Sequence, residues 1–216
     1  MQTKILQGED SLALQQAAVL LRSGEIVAFP TDTVYGLGAD AQNETAIDKI
    51  YTAKERPPEK SLIILIHNKA QLHTLTDTVS DTARKLMNAF WPGPLTLIFP
   101  VRANTISEAV TRGRDTIGVR MPNHPVALQL LQLADIPIAA PSANISGNPS
   151  PATAEAVLQD LDGRIAAIVA GGTCDIGTAS TIVDVSGDAP VILRQGAITK
   201  AHIEQVLMHP VKAVTT

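Results

Sequence analysis

The sequence predicts an α/β fold around a mixed sheet, on three observations. Helix-like and strand-like segments alternate almost throughout the 216 residues, with no linker or internal repeat between them. Several strand-like runs in the second half follow one another with no helix between, which a purely parallel sheet does not allow. Hydrophobic residues make up 45% of the chain but aromatics only 3%, so the core is built from Leu, Ile, Val and Ala. At this length, with 18% charged residues, one large folded domain is expected rather than two domains or a disordered chain.

The elements follow from local signals in chain order. Residues Ser11 to Ser23 have helical apolar spacing, with Asp10 or Ser11 as the cap and Gly24 as the stop. Glu25 to Pro30 (EIVAFP) is short, apolar and β-prone, and PTDTVYGLG (Pro30 to Gly38) reads as the loop at its end. Asn43 to Ala53 is a helix opened by an Asn cap, and Ser61 to Ile66 (SLIILI) is a buried strand. Ser80 to Phe90 is helical and closed by Trp91-Pro92-Gly93-Pro94; Leu95 to Val101 is the next strand. Thr116 to Met121 is strand-like, Val126 to Ala134 helical, Pro137 to Ala140 a strand and Thr153 to Leu161 a helix. Strands over Ile165 to Ala170, Thr181 to Val185 and Val191 to Arg194 follow, then a helix over Thr199 to Met208 and a ragged tail.

Composition excludes several classes. A net charge of −4 gives no global pull toward phosphate backbones, and so few aromatics make no base-stacking platform. Cys174 is the only cysteine, so no intramolecular disulfide or cysteine zinc site can form. His67, His73, His124, His202 and His209 show no metal-binding spacing, and no metal ligand is assigned. There is no G-x-G-x-x-G opening a helix, no P-loop, and no G-x-S-x-G nucleophile. The N-terminus lacks the apolar core of a signal peptide, and no apolar run is long enough to span a membrane. A reducing, cytoplasmic location without membrane attachment is expected.

The chemistry-bearing residues lie in loops. PSANISGNPSP (Pro141 to Pro151) sets three serines, two asparagines and a glycine among prolines, between a short apolar run and a helix start. That composition suits an anion cradle at a helix N-terminus, and equally an ordinary surface turn. Lys54 and Arg56 end a helix, where cations hold phosphate or simply complement the helix dipole. Arg120 is flanked by apolar residues and needs a partner, either a ligand or a structural carboxylate; Arg194 reads the same way. Thr31 to Thr33 offer hydroxyls at a strand's end, and Ser180 opens another strand.

Taken in order, PTDTVYGLGADA, KERP before SLIILI, WPGPLTLIFP, GVRMPNHP, APSANISGNPSPATAE, STIVDV and LRQGAI resemble the Sua5/YrdC/YciO family, and within it the threonylcarbamoyl-adenylate synthases. The resemblance covers residues 30 to 197. It implies one YrdC-like domain over 1–216, with a core of about 8–207 and no separate C-terminal domain, as a twisted mixed β-sheet flanked by helices with an open cleft. It also implies synthesis of L-threonylcarbamoyl-AMP and diphosphate from ATP, L-threonine and bicarbonate, for threonylcarbamoyladenosine at tRNA position 37.

Site roles follow from the same resemblance. The K-x-R plus S-x-N set falls on Lys54, Arg56, Ser142 and Asn144. ATP falls to Lys54, Arg56, Asn144, Ser150 and Arg194, and threonine to Thr33, Arg120, Ser142 and Ser180. Mg²⁺ is expected with ATP, and a transferase assembly of the TsaB/TsaD/TsaE type, or tRNA, is the implied partner. Where some longer relatives have a histidine in the strand after K-x-R, this chain has Leu65. The competing expectations are a double-stranded RNA or tRNA binder, or a YciO-like protein, without synthase activity.

Overall fold

In the computed structural model, which describes residues 2–214, one mixed sheet carries eleven strands. They are β1 (Lys4–Gln7), β2 (Val27–Phe29), β3 (Gly36–Asp40), β4 (Ile63–Leu65), β5 (Leu95–Pro100), β6 (Thr116–Arg120), β7 (Ile138–Ala139), β8 (Ala167–Ala170), β9 (Thr181–Asp184), β10 (Val191–Arg194) and β11 (Lys212–Ala213). Their order across the sheet is β1-β8-β2-β3-β7-β4-β6-β5-β9-β10-β11. Parallel and antiparallel pairs alternate through the centre: β3/β7 and β4/β7 are antiparallel, β4/β6 parallel, β5/β6 antiparallel and β5/β9 parallel.

Helices α1 (Ser11–Arg22), α2 (Glu44–Lys54), α3 (Leu72–Leu75), α4 (Asp81–Phe90), α5 (Glu108–Thr111), α6 (Pro125–Ala134), α7 (Ala154–Leu161) and α8 (Lys200–Leu207) connect them. Most starts are set by one side chain. Asp10, Asn43, Ser80, Ser107, Thr153 and Thr199 each accept a backbone N–H from the first turn. Helix α6 instead opens on Pro125, whose missing N–H would have been unpaired there anyway. No helix of the described residues is long and apolar enough to cross a membrane.

Three strands depart from the expected pattern. Residues 36–38, the end of the loop expected over Pro30 to Gly38, belong instead to β3, which pairs with both β2 and β7. Its sequence, GLGAD, has two glycines and no β-branched residue, so the strand exists through its neighbours rather than its propensity. Strand β1 at one edge has only Leu6 buried, and β11 at the other turns the expected ragged tail into a strand beside β10.

Side-chain alternation divides the core. In β2, Ala28 joins one apolar cluster while Val27 and Phe29 join the other; in β8, Ile168 opposes Ala167 and Val169 in the same way. The larger cluster lies under α2, α4, α5, α7 and α8 and receives side chains from nearly every strand. The smaller holds α1 and α6 against β1, β2, β8 and β7, and reaches only as far as Leu65 in β4. Strands β6, β5, β9 and β10 contribute nothing to it. On that side half of the sheet therefore carries no helix. The cleft is this bare face.

Candidate active site

The floor of the cleft follows from strand register. Ile117 and Val119 of β6 and Leu97 and Phe99 of β5 enter the larger core, so Gly118 and Ile98 face the other way. Gly118 is paired with Ile63 on one side and Ile98 on the other. A Cβ there would lie 2.9 Å from Ile63 Cγ2 and 3.2 Å from Ile98 Cδ1, so glycine leaves the floor open where any side chain would crowd it. Ile182 and Leu193 continue this apolar floor. Strict alternation would point Arg194 into the core beside Ile192, but the register shifts between Ile192 and Arg194. That bulge sends Arg194 to the cleft.

Polar groups line the walls of this cleft of about 300 Å³. Arg56, Arg114, Arg120, Arg194, Thr33, Ser142, Ser150 and Ser180 all border it. The structure thus brings together seven of the nine residues singled out from the sequence. The other two, Lys54 and Asn144, are buried and lie behind the wall. Tyr35 and Ser61, which lie in singled-out segments but were given no role, also line the cleft, as does Arg114, which no sequence signal marks.

Arg120 stands at one end, where it is 4% exposed. Its Nη2 forms an ion pair with Asp32, which is 5% exposed, its Nη1 donates to Thr33 Oγ1 at 2.7 Å, and its Nε donates to Gly93 O at 3.0 Å. Burial lowers its pKa and Asp32 opposes that; a guanidinium keeps its charge through such a change. Asp32 also accepts from Asn123 N at 3.0 Å, and its carbonyl accepts from Ile176 N at 3.1 Å. The structural carboxylate that Arg120 needed is Asp32. Three of the five guanidinium N–H groups are committed, which leaves two to meet a ligand at the cleft wall.

Of the remaining cleft arginines, Arg56 and Arg194 are held by backbone carbonyls, and Glu59 acts on Arg56 only at a distance. Arg194 donates Nε and Nη2 to Ser180 O at 3.1 and 2.8 Å, and Ser180 Oγ lies 2.8 Å from Thr96 Oγ1. Arg56 donates Nη2 to Ser61 O at 2.9 Å and Nε to Lys60 O at 3.2 Å. Among the described residues, Arg56, Arg114 and Arg194 enter no ion pair. Desolvation lowers the pKa of Arg194, and Arg120 and Arg56 add repulsion to it. Arginines gathered on one cleft, of which only Arg120 is ion-paired among the described residues, suit a polyanion, whatever the net charge of the whole chain.

The sequence suggests that the loop 141–151 leads into a helix N-terminus open to an anion. That terminus is occupied by its own residues: Thr153 Oγ1 accepts from Ala156 N, and the Glu155 carboxyl is held below its usual range by its own backbone N–H and by Thr153. The loop faces the cleft through Ser142 and Ser150 instead. It is fixed by a bridge between Ser142 and Gly36, by Ala143 N donating to Tyr35 O at 2.8 Å, and by Ile145 N donating to Asp160 Oδ2 at 2.9 Å. Asn144 turns its amide inward, donating to Ile145 O and Asn148 O at 2.8 Å.

Lys54 is 1% exposed and donates Nζ to the carbonyls of Ser142 and Asn144. Burial first, and Arg56 second, lower its pKa from 10.5 to about 7. The folded value lies below the unfolded one, so the unfolded chain binds the extra proton and stability rises with pH above about 7. The urea midpoint of the wild type should therefore climb between pH 7 and 9, and that increment should be missing from Lys54→Met.

A sequence profile of the Sua5/YciO/YrdC family, described as "Telomere recombination", matches residues 19–196. The chain is 54% identical over 194 residues to the threonylcarbamoyl-AMP synthase of Bacillus subtilis (strain 168), covering 90% of this chain and 56% of that protein. The crystal structure of P. abyssi Sua5 complexed with L-threonine superposes with a TM-score of 0.93 at 42% identity, covering 99% of this chain and 63% of that one. E. coli YciO shares the fold, with a TM-score of 0.81 at 24% identity over 93% of this chain and 97% of its own. The chain spans 54–58% of the length of the B. subtilis, P. abyssi and S. pombe synthases.

Proposed function

This chain belongs to the Sua5/YciO/YrdC family, and on that premise we propose that it is a nucleotidyltransferase making L-threonylcarbamoyl-AMP. The substrates are L-threonine, bicarbonate and ATP, and diphosphate is the second product. The observation that carries this reading is the convergence of Arg56, Arg114, Arg120 and Arg194 on one cleft lined by no carboxylate among the described residues. On this reading residues 8–207 act as one YrdC-like catalytic domain.

The cleft divides by chemistry. Thr33, Arg120 and Ser180 form a hydroxyl-and-guanidinium end for the threonine carboxylate, where Arg120 is pre-aimed by Asp32. Arg56 and Arg194, with Arg114 nearby, take the phosphates; Ser150 lies along the nucleotide and Ser142 where threonine meets it. The amine of threonine condenses with bicarbonate to a carbamate, releasing water. A carbamate oxygen then attacks the α-phosphorus, an O–P bond forms, and the bond to the β-phosphate breaks as diphosphate leaves. Both partners are anions, so the protein's share is charge neutralisation and alignment, with no covalent enzyme intermediate.

Mg²⁺ is the cofactor this chemistry ordinarily uses. Among the described residues no group of three or more His, Cys, Asp or Glu could hold a metal ion, and Asp32 beside the cleft is engaged by Arg120. No cluster of carboxylates is needed for Mg²⁺ at a nucleotide, where phosphate oxygens and waters would supply most of its ligands. The product serves tRNA modification at position 37, with a TsaB/TsaD/TsaE-type assembly as the downstream partner. Incubation with ATP, bicarbonate and labelled threonine tests the reading. Threonine-dependent diphosphate release with a labelled adenylate is expected, and the absence of both would falsify it.

A further inference from the structure

We propose that Lys54 is a positioning residue, acting through the backbone carbonyls of Ser142 and Asn144 to hold Ser142 at the cleft, and not a group that touches nucleotide phosphate. The proposal rests on the synthase reading and departs from the phosphate role that the K-x-R resemblance gives this lysine. Lys54 and Arg56 are two residues apart at the end of α2, yet they face different surroundings. Arg56 borders the cleft; Lys54 is 1% exposed and does not.

Both ends of Lys54 hold the same loop. Its Nζ donates to the two carbonyls flanking Ala143, and its own carbonyl accepts from Ser146 N at 2.7 Å. Three tethers from one residue thus span the stretch Ser142–Ser146. For Nζ to reach a phosphate it would have to release at least one of these carbonyls. A carbonyl left unpaired in a buried site costs about 1–3 kcal/mol, comparable to what one charged hydrogen bond to phosphate returns. The exchange brings no clear gain, whereas Arg56 and Arg194 already present free N–H groups to the cleft. Burial and the adjacent Arg56 also disfavour the ammonium, with Asp160 opposing them, which makes Nζ a poor partner for phosphate while leaving it N–H donors for two carbonyls.

The role is read by comparing Lys54→Met with Arg56→Ala in steady-state diphosphate release and in equilibrium binding of ATP and AMP. A loosened loop misaligns the reacting atoms, so Lys54→Met should lower kcat by about 10- to 100-fold. Its KM for ATP should stay within about threefold of wild type, and its preference for ATP over AMP should be kept, because the arginines still hold the phosphates. Arg56→Ala should lose about tenfold or more of that preference. Amide hydrogen exchange at Ala143 and Ser146 should quicken in Lys54→Met only. If Lys54→Met does not fold, Lys54→Gln, whose uncharged amide keeps two N–H donors on a shorter side chain, carries the same comparison.

Collapse of the ATP-over-AMP preference in the Lys54 variant overturns the proposal, since it means direct phosphate contact. A lowered melting temperature with kcat intact also overturns it, since the clamp is then structural only. Wild-type protein that binds ATP but makes no adenylate sinks the synthase reading and this proposal with it. Wild-type activity combined with either result above sinks the proposal alone.

Discussion

Replacing Arg120 with Met should cost about 3–5 kcal/mol of stability, because it leaves Asp32 charged and unpaired in a site where both side chains are almost fully buried. For a chain of this size that is a fall in Tm of roughly 10 °C. Threonine binding should be lost at the same time, since Thr33 and Arg120 are hydrogen-bonded into one surface. The two effects can be separated. Adding Asp32→Asn to Arg120→Met removes the orphan charge, and thermal denaturation of the double variant should recover much of the lost stability. Threonine affinity, read by calorimetry, should not return, because the guanidinium is still missing. Recovery of both would mean that Arg120 serves the fold alone.

Arg56→Ala and Arg194→Ala should behave in the opposite way. Each removes a cation that enters no ion pair among the described residues; Arg194 is repelled by Arg120 and Arg56, and Arg56 is desolvated with only Tyr51 and Glu59 in compensation. Stability should stay unchanged or rise slightly, while ATP affinity falls about 10- to 100-fold, the worth of one charged hydrogen bond to phosphate. Added salt should raise the stability of the ligand-free wild type more than that of either variant, since it screens a repulsion the variants lack. Calorimetric ATP titration and melting curves at two salt concentrations check both statements. Loss of stability without loss of ATP affinity would place these arginines outside the nucleotide site.

What the sequence made legible depended on how local each cause was. Helix ends were readable because one side chain decides them: Asp10 and Asn43 cap as expected, and the runs opening at Ser80, Thr153 and Thr199 start on residues that turn out to be caps. Strand β3 was not, because GLGAD has no local reason to extend and is made a strand by β2 and β7. The need of Arg120 for a partner was visible in its apolar flanks, but the partner was not, as Asp32 lies 88 residues away. Arg194 was singled out as a residue, whereas the bulge that turns it to the cleft is a property of its pairing with β9. Arg114 carries no local mark at all. It counts only because β6 brings it to the open half of the sheet.

Lys54 shows the limit of a motif most sharply. A lysine two residues before an arginine reads as two like cations with one task. The helix end and the loop 141–151 set them on opposite sides of a wall, and only the fold reveals that.

The most direct test is a crystal structure of the protein with L-threonine and a non-hydrolysable ATP analogue. Threonine should lie against Thr33, Arg120 and Ser180, with the phosphates on Arg56 and Arg194 and the α-phosphorus beside Ser142. A nucleotide bound anywhere other than this bare half of the sheet, or threonine with its carboxylate away from Arg120, would contradict the account.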